Sequence, residues 1–214
     1  VVDPGEDLGR AVGAAVVVAV VLQLLGRTEA PTQEVVAIAS DSSGWLDAVL
    51  VAVGACILAP LAEEIAKGRL PGDEGDPVAS TGLVAFAMGK QGARELNYSS
   101  DIDLIVLFDE DRYGSAAAEA RPGLVRVTRR MAQSLSEGTA EGYVFRTDLR
   151  LRPDASVTPV ALSMEAAERY YESFGRTWER AAFIKARVAA GDVNAGERFL
   201  STLTPFVWRR HLDY

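Results

Sequence analysis

The sequence predicts an α+β fold, in which helices cover one side of a mixed sheet and a helical N-terminal segment precedes it. Three observations support this class. Residues 104–108 are almost wholly apolar, which is typical of a strand buried on both faces. Residues 143–153 alternate in polarity with the period of two that strands show. Residues 124–136 place apolar side chains at helical spacing.

Residues 1–72 are predicted to form the helical N-terminal segment. Residues 11–25 are apolar except for Gln23, and we expect a buried helix there. This run is shorter than the roughly 20 residues that a membrane span needs, and no basic region precedes it as in a signal peptide. Residues 33–39 predict a short helix, and residues 45–67 predict a long one that Pro60 kinks or divides. A glycine- and proline-rich loop over residues 68–80 should follow.

Residues 80–214 are predicted to form the second, catalytic domain. A strand over residues 82–88, a loop over 109–123 and the helix at 124–136, with a solvated arginine face, come first. Ser163 is the expected N-cap of a helix over residues 164–174. Further helices are predicted over residues 176–190, where Trp178 and Phe183 should pack inside, over residues 195–203, and from Pro205 onward.

Composition excludes several classes of protein. The net charge is −8, whereas a polymerase or tailing enzyme carries a basic track for the phosphate backbone, so no nucleic-acid partner is expected. The single cysteine, Cys56, lies in an apolar run and predicts a buried thiol in a reducing cytosol. One cysteine and one histidine do not favour a zinc site.

Two carboxylates stand at the entrance of the most apolar strand. Asp101 and Asp103 are two residues apart, so on a strand they point the same way and repel each other. A divalent cation with oxygen ligands is the natural partner for such a pair. The alternative is two solvated aspartates at the start of a strand.

The order of glycine turn, Ser-Asp-x-Asp and apolar strand resembles the nucleotidyltransferase superfamily, whose fold is polymerase-beta-like. The resemblance implies that the turn holds phosphates, that Asp101 and Asp103 bind two magnesium ions, and that a third carboxylate lies on a neighbouring strand. Asp148 fits this third place. On a strand over residues 143–153 it shares one face with Arg146, Arg150 and Arg152, which then bind phosphate. The alternative is a solvated edge strand in which Asp148 is an ion-pair partner.

Three longer sequence motifs extend the resemblance to a particular family. MGKQGARELNYSSDIDLIVLF, YVFRTDLRLRP and YYESFGRTWERAAFIKARV, in this order, are similar to the bacterial glutamine synthetase adenylyltransferase/adenylyl-removing enzyme. The match covers residues 82–214, and its wording is closer to the N-terminal, adenylyl-removing half. The KAR motif at residues 185–187 adds Lys185 and Arg187 as functional candidates. The nucleotide- and phosphate-binding residues that we predict are Gly89, Lys90, Ser99, Ser100, Arg146, Arg150, Arg152, Lys185 and Arg187.

The resemblance implies phosphorolytic removal of AMP from an adenylylated tyrosine of glutamine synthetase, with Mg²⁺ (or Mn²⁺) held by Asp101, Asp103 and Asp148. It also implies ADP or ATP, orthophosphate and glutamine synthetase as partners, a nitrogen-signalling regulatory protein bound elsewhere, and a bacterial cytoplasmic location without membrane contact. Two alternatives stay open. One is adenylylation of the synthetase from ATP, and the other is a non-catalytic module that docks the synthetase.

Overall fold

The computed structural model describes residues 42–97, 100–136, 138–139, 142–143 and 146–208. The helices predicted over residues 11–25 and 33–39, Ser99 and the sequence after Trp208 lie outside these residues. The described helices are α1 (Ser42–Ala66), α2 (Pro77–Thr81), α3 (Gly89–Gly92), α4 (Ala117–Ser136), α5 (Met164–Phe174), α6 (Thr177–Phe183), α7 (Val193–Thr202) and α8 (Thr204–Val207). The strands are β1 (Leu83–Ala87), β2 (Ile102–Phe108), β3 (Gly138–Thr139), β4 (Gly142–Tyr143), β5 (Thr147–Asp148), β6 (Ala161–Ser163) and β7 (Arg187–Gly191).

The main sheet is mixed and confirms the predicted α+β class. β1 lies between β7 and β2 and is antiparallel to both. The other edge of β2 pairs in parallel with two short strands, β5 at its beginning and β6 at its end. β3 and β4 form a separate antiparallel hairpin. All five residues of β1 and six of the seven in β2 are buried, as the apolar run predicted.

The predicted strand over residues 143–153 is wrong in its length. Among the described residues of this stretch, Thr147 and Asp148 pair with β2, and residues 150–157 form turns. The arginine side chains supply the physical reason, because Arg152 bonds to the carbonyl groups of its own loop and thereby stabilises a turn instead of a ladder. Alternation of polarity alone did not show this.

Helices cover both faces of the sheet, whereas the sequence led us to expect helices on one side. α1 and α4 pack with the Leu83, Ala85, Leu104 and Val106 face. The face that carries Phe86 packs against α5 and the helices that follow it, through side chains such as Tyr171, Phe183 and Phe199. The sheet is therefore the middle layer of three, which explains why its central strands are apolar on both sides.

α1 confirms the predicted long helix, but Pro60 does not divide it. The helix is continuous from Ser42 to Ala66. Within it, Val49–Ala66 is, by length and composition alone, apolar enough to cross a membrane; half of this stretch is buried inside the protein. Its buried side chains share one core with α4 and the sheet. Cys56 is among them, as predicted, and burial raises the pKa of its thiol to about 11.

α4 begins earlier than predicted and its arginines are not simply solvated. Two short 3₁₀ turns occupy the start of the predicted loop, and the helix then runs from Ala117 through Pro122. Arg126 donates two hydrogen bonds to the buried carboxylate of Glu64, at 2.9 and 2.7 Å. Arg130 pairs with Glu63 at 2.5 Å. These contacts join α4 to α1.

In the part of the chain from Ser163 to β7, some predictions are confirmed and others are wrong. Ser163 caps α5 by accepting a hydrogen bond from the N–H of Ala166, which confirms that prediction. The predicted helix over residues 176–190 is wrong, because it ends at Phe183 and the chain then forms β7 along β1. Phe183 is buried as expected, but Trp178 is 48 % exposed. Pairing with an otherwise open edge of β1 outweighs the helical propensity of this stretch.

Candidate active site

The glycine turn that begins at Gly89 follows β1 and lies beside β2 at one end of the sheet. β1 ends at Ala87, the N–H of Met88 donates to the carbonyl oxygen of Asp103, and α3 starts at Gly89. Gly89 has φ +53, and a Cβ atom on it would lie 2.7 Å from Oδ2 of Asp103. Only glycine lets the backbone turn come this close to the carboxylate.

Asp103 and Asp148 are direct neighbours across parallel strands. β2 and β5 pair Asp103 with Asp148 in register, so both side chains are on the sheet face that also carries Ile105. Burial raises the pKa of Asp103 above its ordinary value, and the negative charges of Asp148 and Asp101 raise it further. The charge of Arg150 lowers the pKa of Asp103, but by less than burial and the two other acids raise it.

Arg150 holds Asp148. Its Nε atom lies 3.0 and 2.9 Å from the two carboxylate oxygens, its Nη2 atom lies 2.5 Å from Oδ2, and its backbone N–H donates at 2.7 Å. These hydrogen bonds keep the pKa of Asp148 below its ordinary value. The guanidinium group itself is exposed, so water or a ligand can reach it.

Arg146 holds Asp101 in the same way. Its Nε atom lies 2.5 Å from Oδ1, and both side chains are largely exposed. The other two predicted acids, Asp101 and Asp148, are thus close enough to raise the pKa of Asp103, and each has a guanidinium partner. Among the described residues, no group of three or more His, Cys, Asp or Glu side chains is arranged as a metal site.

The donor set nevertheless fits a hard divalent cation in its chemistry. Three carboxylates offer only oxygen ligands, as Mg²⁺ prefers. The raised pKa of Asp103 shows that a positive charge is favourable beside it. Asp101, Asp103 and Asp148 are the residues that would hold such an ion, after Asp101 and Asp148 exchange their arginine partners for it.

Two other predicted residues line the same end of the sheet. Lys90 is exposed at the start of α3, and its Nζ atom lies 3.4 Å from Oγ of Ser100. A lysine and a hydroxyl group are thus present beside the turn. Ser99, the neighbouring candidate, lies outside the described residues.

Arg152 forms hydrogen bonds within its own loop, while its charge lowers the pKa of Asp148. It donates hydrogen bonds to the carbonyl oxygens of Leu149, Ala155, Thr158 and Pro159 at 2.7–3.1 Å. Burial lowers the pKa of this guanidinium group. This geometry favours a role in holding the loop over residues 149–159, while phosphate binding by Arg152 stays a prediction.

Lys185 and Arg187 contact residues in and just after the glycine turn. Lys185 pairs with Glu95 at 3.0 Å, and Arg187 donates to the carbonyl oxygen of Gln91. Sequence reasoning missed Gln91 and Glu95. The second glycine of GKQG, Gly92, was the available signal, since paired glycines mark a close approach of two backbones.

A separate cavity of about 350 Å³ lies at the opposite end of β2, beyond Phe108. Its lining is acidic, and the carboxyl group of Glu110 contacts that of Glu165. Burial, the hydrogen bond that protonated Glu110 donates to Glu165 and the negative charge of Glu165 raise the pKa of Glu110. None of the predicted site residues lines this cavity.

A mixed sheet with helices on both faces, a glycine turn against an aspartate and a second aspartate on the next strand define a domain of the nucleotidyltransferase class. The sequence matches the family described as "Glutamate-ammonia ligase adenylyltransferase" over residues 19–202. The chain belongs to this family.

Curated relatives agree with this assignment. The chain is 49 % identical over 217 residues to the "Bifunctional glutamine synthetase adenylyltransferase/adenylyl-removing enzyme" of Bradyrhizobium sp. (strain BTAi1 / ATCC BAA-1182). The aligned region covers 96 % of the chain and 22 % of the relative. The enzyme of the same name from Rhizobium meliloti (strain 1021) is 48 % identical over 96 % of the chain and 22 % of the relative. That from Rhodopseudomonas palustris (strain HaA2) is 56 % identical over 72 % of the chain and 16 % of the relative. The chain thus spans about a fifth of the length of these relatives.

Proposed function

We propose that this chain catalyses the phosphorolytic removal of AMP from an adenylylated tyrosine of glutamine synthetase, in the bacterial cytoplasm. The observation that carries the proposal is the pairing of the two exposed guanidinium groups of Arg146 and Arg150 with the acids around Asp103. The names of the relatives supply the protein substrate, and they include both adenylylation and adenylyl removal.

The acids serve the metal. Both the attacked phosphorus group and the incoming phosphate are anionic, so their approach needs positive charge. Mg²⁺ ions would supply that charge, as Lewis acids toward the phosphoryl oxygens. Asp101, Asp103 and Asp148 would hold them, and Mn²⁺ offers similar oxygen-ligand chemistry.

The arginines serve the small anion. When Asp148 binds a cation, Arg150 gives up its hydrogen bonds to that carboxylate. Its exposed, planar guanidinium group can then bind phosphate oxygens in a bidentate manner, and the charge of Arg146 beside Asp101 adds to the attraction. A site for free orthophosphate needs this kind of cationic rim, whereas transfer from ATP carries its phosphates on the nucleotide.

The turn at Gly89 would add neutral donors for the nucleotide. The first N–H groups of a helix have no acceptor inside it, and those of α3 begin beside Asp103. Lys90 and Ser100 stand next to them. Together they suit the phosphate of AMP.

Phosphorolysis exchanges one bond to phosphorus for another. A phosphate oxygen forms a bond to the phosphorus of AMP, and the bond from that phosphorus to the tyrosyl oxygen breaks. The products are ADP and the tyrosine side chain, which takes up the proton that the attacking phosphate loses. Tyrosine is a good leaving group among hydroxyl side chains because its pKa is near 10.

The second candidate is the reverse regulation, transfer of AMP from ATP to the same tyrosine. The names of the relatives support this candidate, because they include adenylyltransferase. Both reactions would use the same three acids. A docking module without catalysis would need neither the acids nor a metal.

The test offers the chain both sets of reactants. With adenylylated glutamine synthetase, orthophosphate and Mg²⁺ it should form ADP, and Arg150→Ala should raise the phosphate concentration needed for half-maximal rate. With unmodified synthetase and ATP it should release little pyrophosphate. Rapid pyrophosphate release without phosphate-dependent ADP would instead assign the adenylylating activity, and neither product would support the docking module.

A further inference from the structure

The glycine turn is in backbone contact with the segment that enters β7. A Cβ atom on Gly92 would lie 2.1 Å from the carbonyl oxygen of Lys185 and 2.7 Å from that of Ala87. Both distances are too short for any side chain. The turn at residues 89–92 therefore rests directly on residue 185, about ninety positions later in the sequence.

Arg187 fixes this contact with hydrogen bonds. Its Nη2 and Nε atoms donate to the carbonyl oxygen of Gln91 at 3.0 and 3.3 Å. Its backbone pairs with Ala87, the last residue of β1 before the turn. The side chain is half-buried, which shields these charge-assisted bonds from water.

The neighbouring ion pair is weaker. Lys185 and Glu95 lie 3.0 Å apart, but their side chains are 50 % and 63 % exposed. Pairs in such positions contribute little, because water and salt screen them. Arg187 is therefore the side chain that holds the turn from this direction.

We infer that Arg187 is a positioning residue, which holds the Gly89 turn against Asp103 through the carbonyl group of Gln91, and does not itself bind the anion. The inference rests on the proposed function, since it concerns the same site. The contacts run from Arg187 to Gln91, and from Gly89 to the carboxylate of Asp103. A misplacement of about 1 Å at a reacting centre costs on the order of 10²-fold in rate.

Two substitutions separate positioning from anion binding. In Arg187→Gln, the side-chain amide nitrogen takes the place of Nε, so a donor to Gln91 remains while the positive charge is lost. In Arg187→Met, a methyl group takes that place, and both donor and charge are lost. Amide hydrogen exchange at residues 89–95 reports the turn, and exchange at residues 104–108 reports the fold.

The positioning role predicts that Arg187→Met loses exchange protection at residues 89–95 by at least tenfold, while residues 104–108 stay protected. Its kcat for ADP formation from adenylylated synthetase and phosphate should fall on the order of 10²-fold, with the KM for phosphate within twofold. Arg187→Gln should keep most of the protection and most of kcat.

The opposite pattern overturns the inference. If Arg187→Gln raises the KM for phosphate tenfold or more while the turn stays protected, the guanidinium group binds the anion directly. Unchanged exchange in Arg187→Met also refutes the positioning role. If the methionine variant does not fold, the glutamine variant alone decides. If the unsubstituted chain forms no ADP, the proposed function fails, and the exchange measurement still tests the contact.

Discussion

At the scale of single residues, Gly89 shows how a backbone angle and a carboxylate depend on each other. Its φ of +53 is in the left-handed region, and its α-carbon leaves no room for a side chain beside Asp103. Gly114 has nearly the same angle, +52, but a Cβ atom there would meet nothing within 4 Å. The two glycines thus differ only in what surrounds them.

Alanine at each position should therefore separate strain from contact. Both Gly89→Ala and Gly114→Ala should lose about 1–2 kcal/mol of unfolding free energy, because a left-handed residue with a Cβ atom costs this much. Only Gly89→Ala should also lose catalysis and Mg²⁺ binding, since its methyl group displaces the Asp103 carboxylate. Urea denaturation and calorimetric Mg²⁺ titration measure the two effects. Equal Mg²⁺ affinity in both variants would contradict the assigned contact.

Gln91 is the second residue whose environment makes a prediction. Its side chain is 1 % exposed, and within the described residues neither its amide nitrogen nor its amide oxygen has a hydrogen-bond partner. Gln91→Leu should stabilise the protein by about 1–3 kcal/mol, because a buried polar group without a partner costs this much. The midpoint of urea denaturation measures it, with Gln133→Leu on α4 as an exposed control. A loss of stability in Gln91→Leu would show that the amide has a partner in solution.

At the scale of elements, the joint between α1 and α4 depends on one buried acid. Glu64 is 2 % exposed, and it accepts hydrogen bonds from Arg126 on α4 and from Arg69 just beyond α1. Burial by itself raises the pKa of Glu64, but the two arginines outweigh it, so that the pKa lies below its ordinary value of 4.5. The charged form is thus the one that the fold stabilises.

Glu64→Gln should cost about 1.5–3 kcal/mol of unfolding free energy at pH 7, the usual contribution of hydrogen bonds to a charged group. Because the folded pKa is lowered, this contribution is complete above pH 4.5 and is lost as the pH falls through the folded value. The difference from the parent chain should therefore shrink as the pH falls below 4.5. The matched control is Glu172→Gln on the exposed face of α5, which should show a smaller cost. A difference that stays constant with pH would refute the ionic joint.

At the scale of the whole molecule, three distant segments meet at one end of the sheet. The glycine turn follows β1, Asp103 lies in β2, and Asp148 lies in β5. The parallel pairing of β2 and β5 aligns the two acids, and β7 supports the turn from the other side. The fold thus gathers like charges at one place, which favours a cation there.

Mg²⁺ should therefore stabilise the whole protein. A ligand at a hundred times its Kd adds about 2.7 kcal/mol to the unfolding free energy of a protein that binds it only when folded. Asp103→Asn should abolish this gain. It should also raise the Tm in the absence of metal, because Asp148 and Asp101 no longer repel a charge at this position. Thermal denaturation with and without Mg²⁺ measures both effects.

Asp111→Asn is the control for the loss of one negative charge, since Asp111 is exposed beyond the far end of β2. It should keep the full response to Mg²⁺. If Asp103→Asn responds to Mg²⁺ as the parent chain does, Asp103 is not a ligand, and the metal-dependent function loses its support.

The sequence by itself determined the α+β class, the central strands and the helix capped by Ser163, because apolar runs, their period and an N-cap residue act over short distances. It also brought Asp101, Asp103 and the Gly89 turn together, since they are close in sequence. Their roles in binding metal and phosphate stay predictions.

The tertiary fold set the features that depend on contacts between distant parts of the chain. It changed the predicted helix over residues 176–190 into α6 and β7, because the edge of β1 was open to pairing. It ended the strand at Asp148, because Arg152 bonds to its own loop. It also placed Arg187 on Gln91. Each of these outcomes depends on contacts between residues far apart in the chain, which periodicity and local propensity do not report.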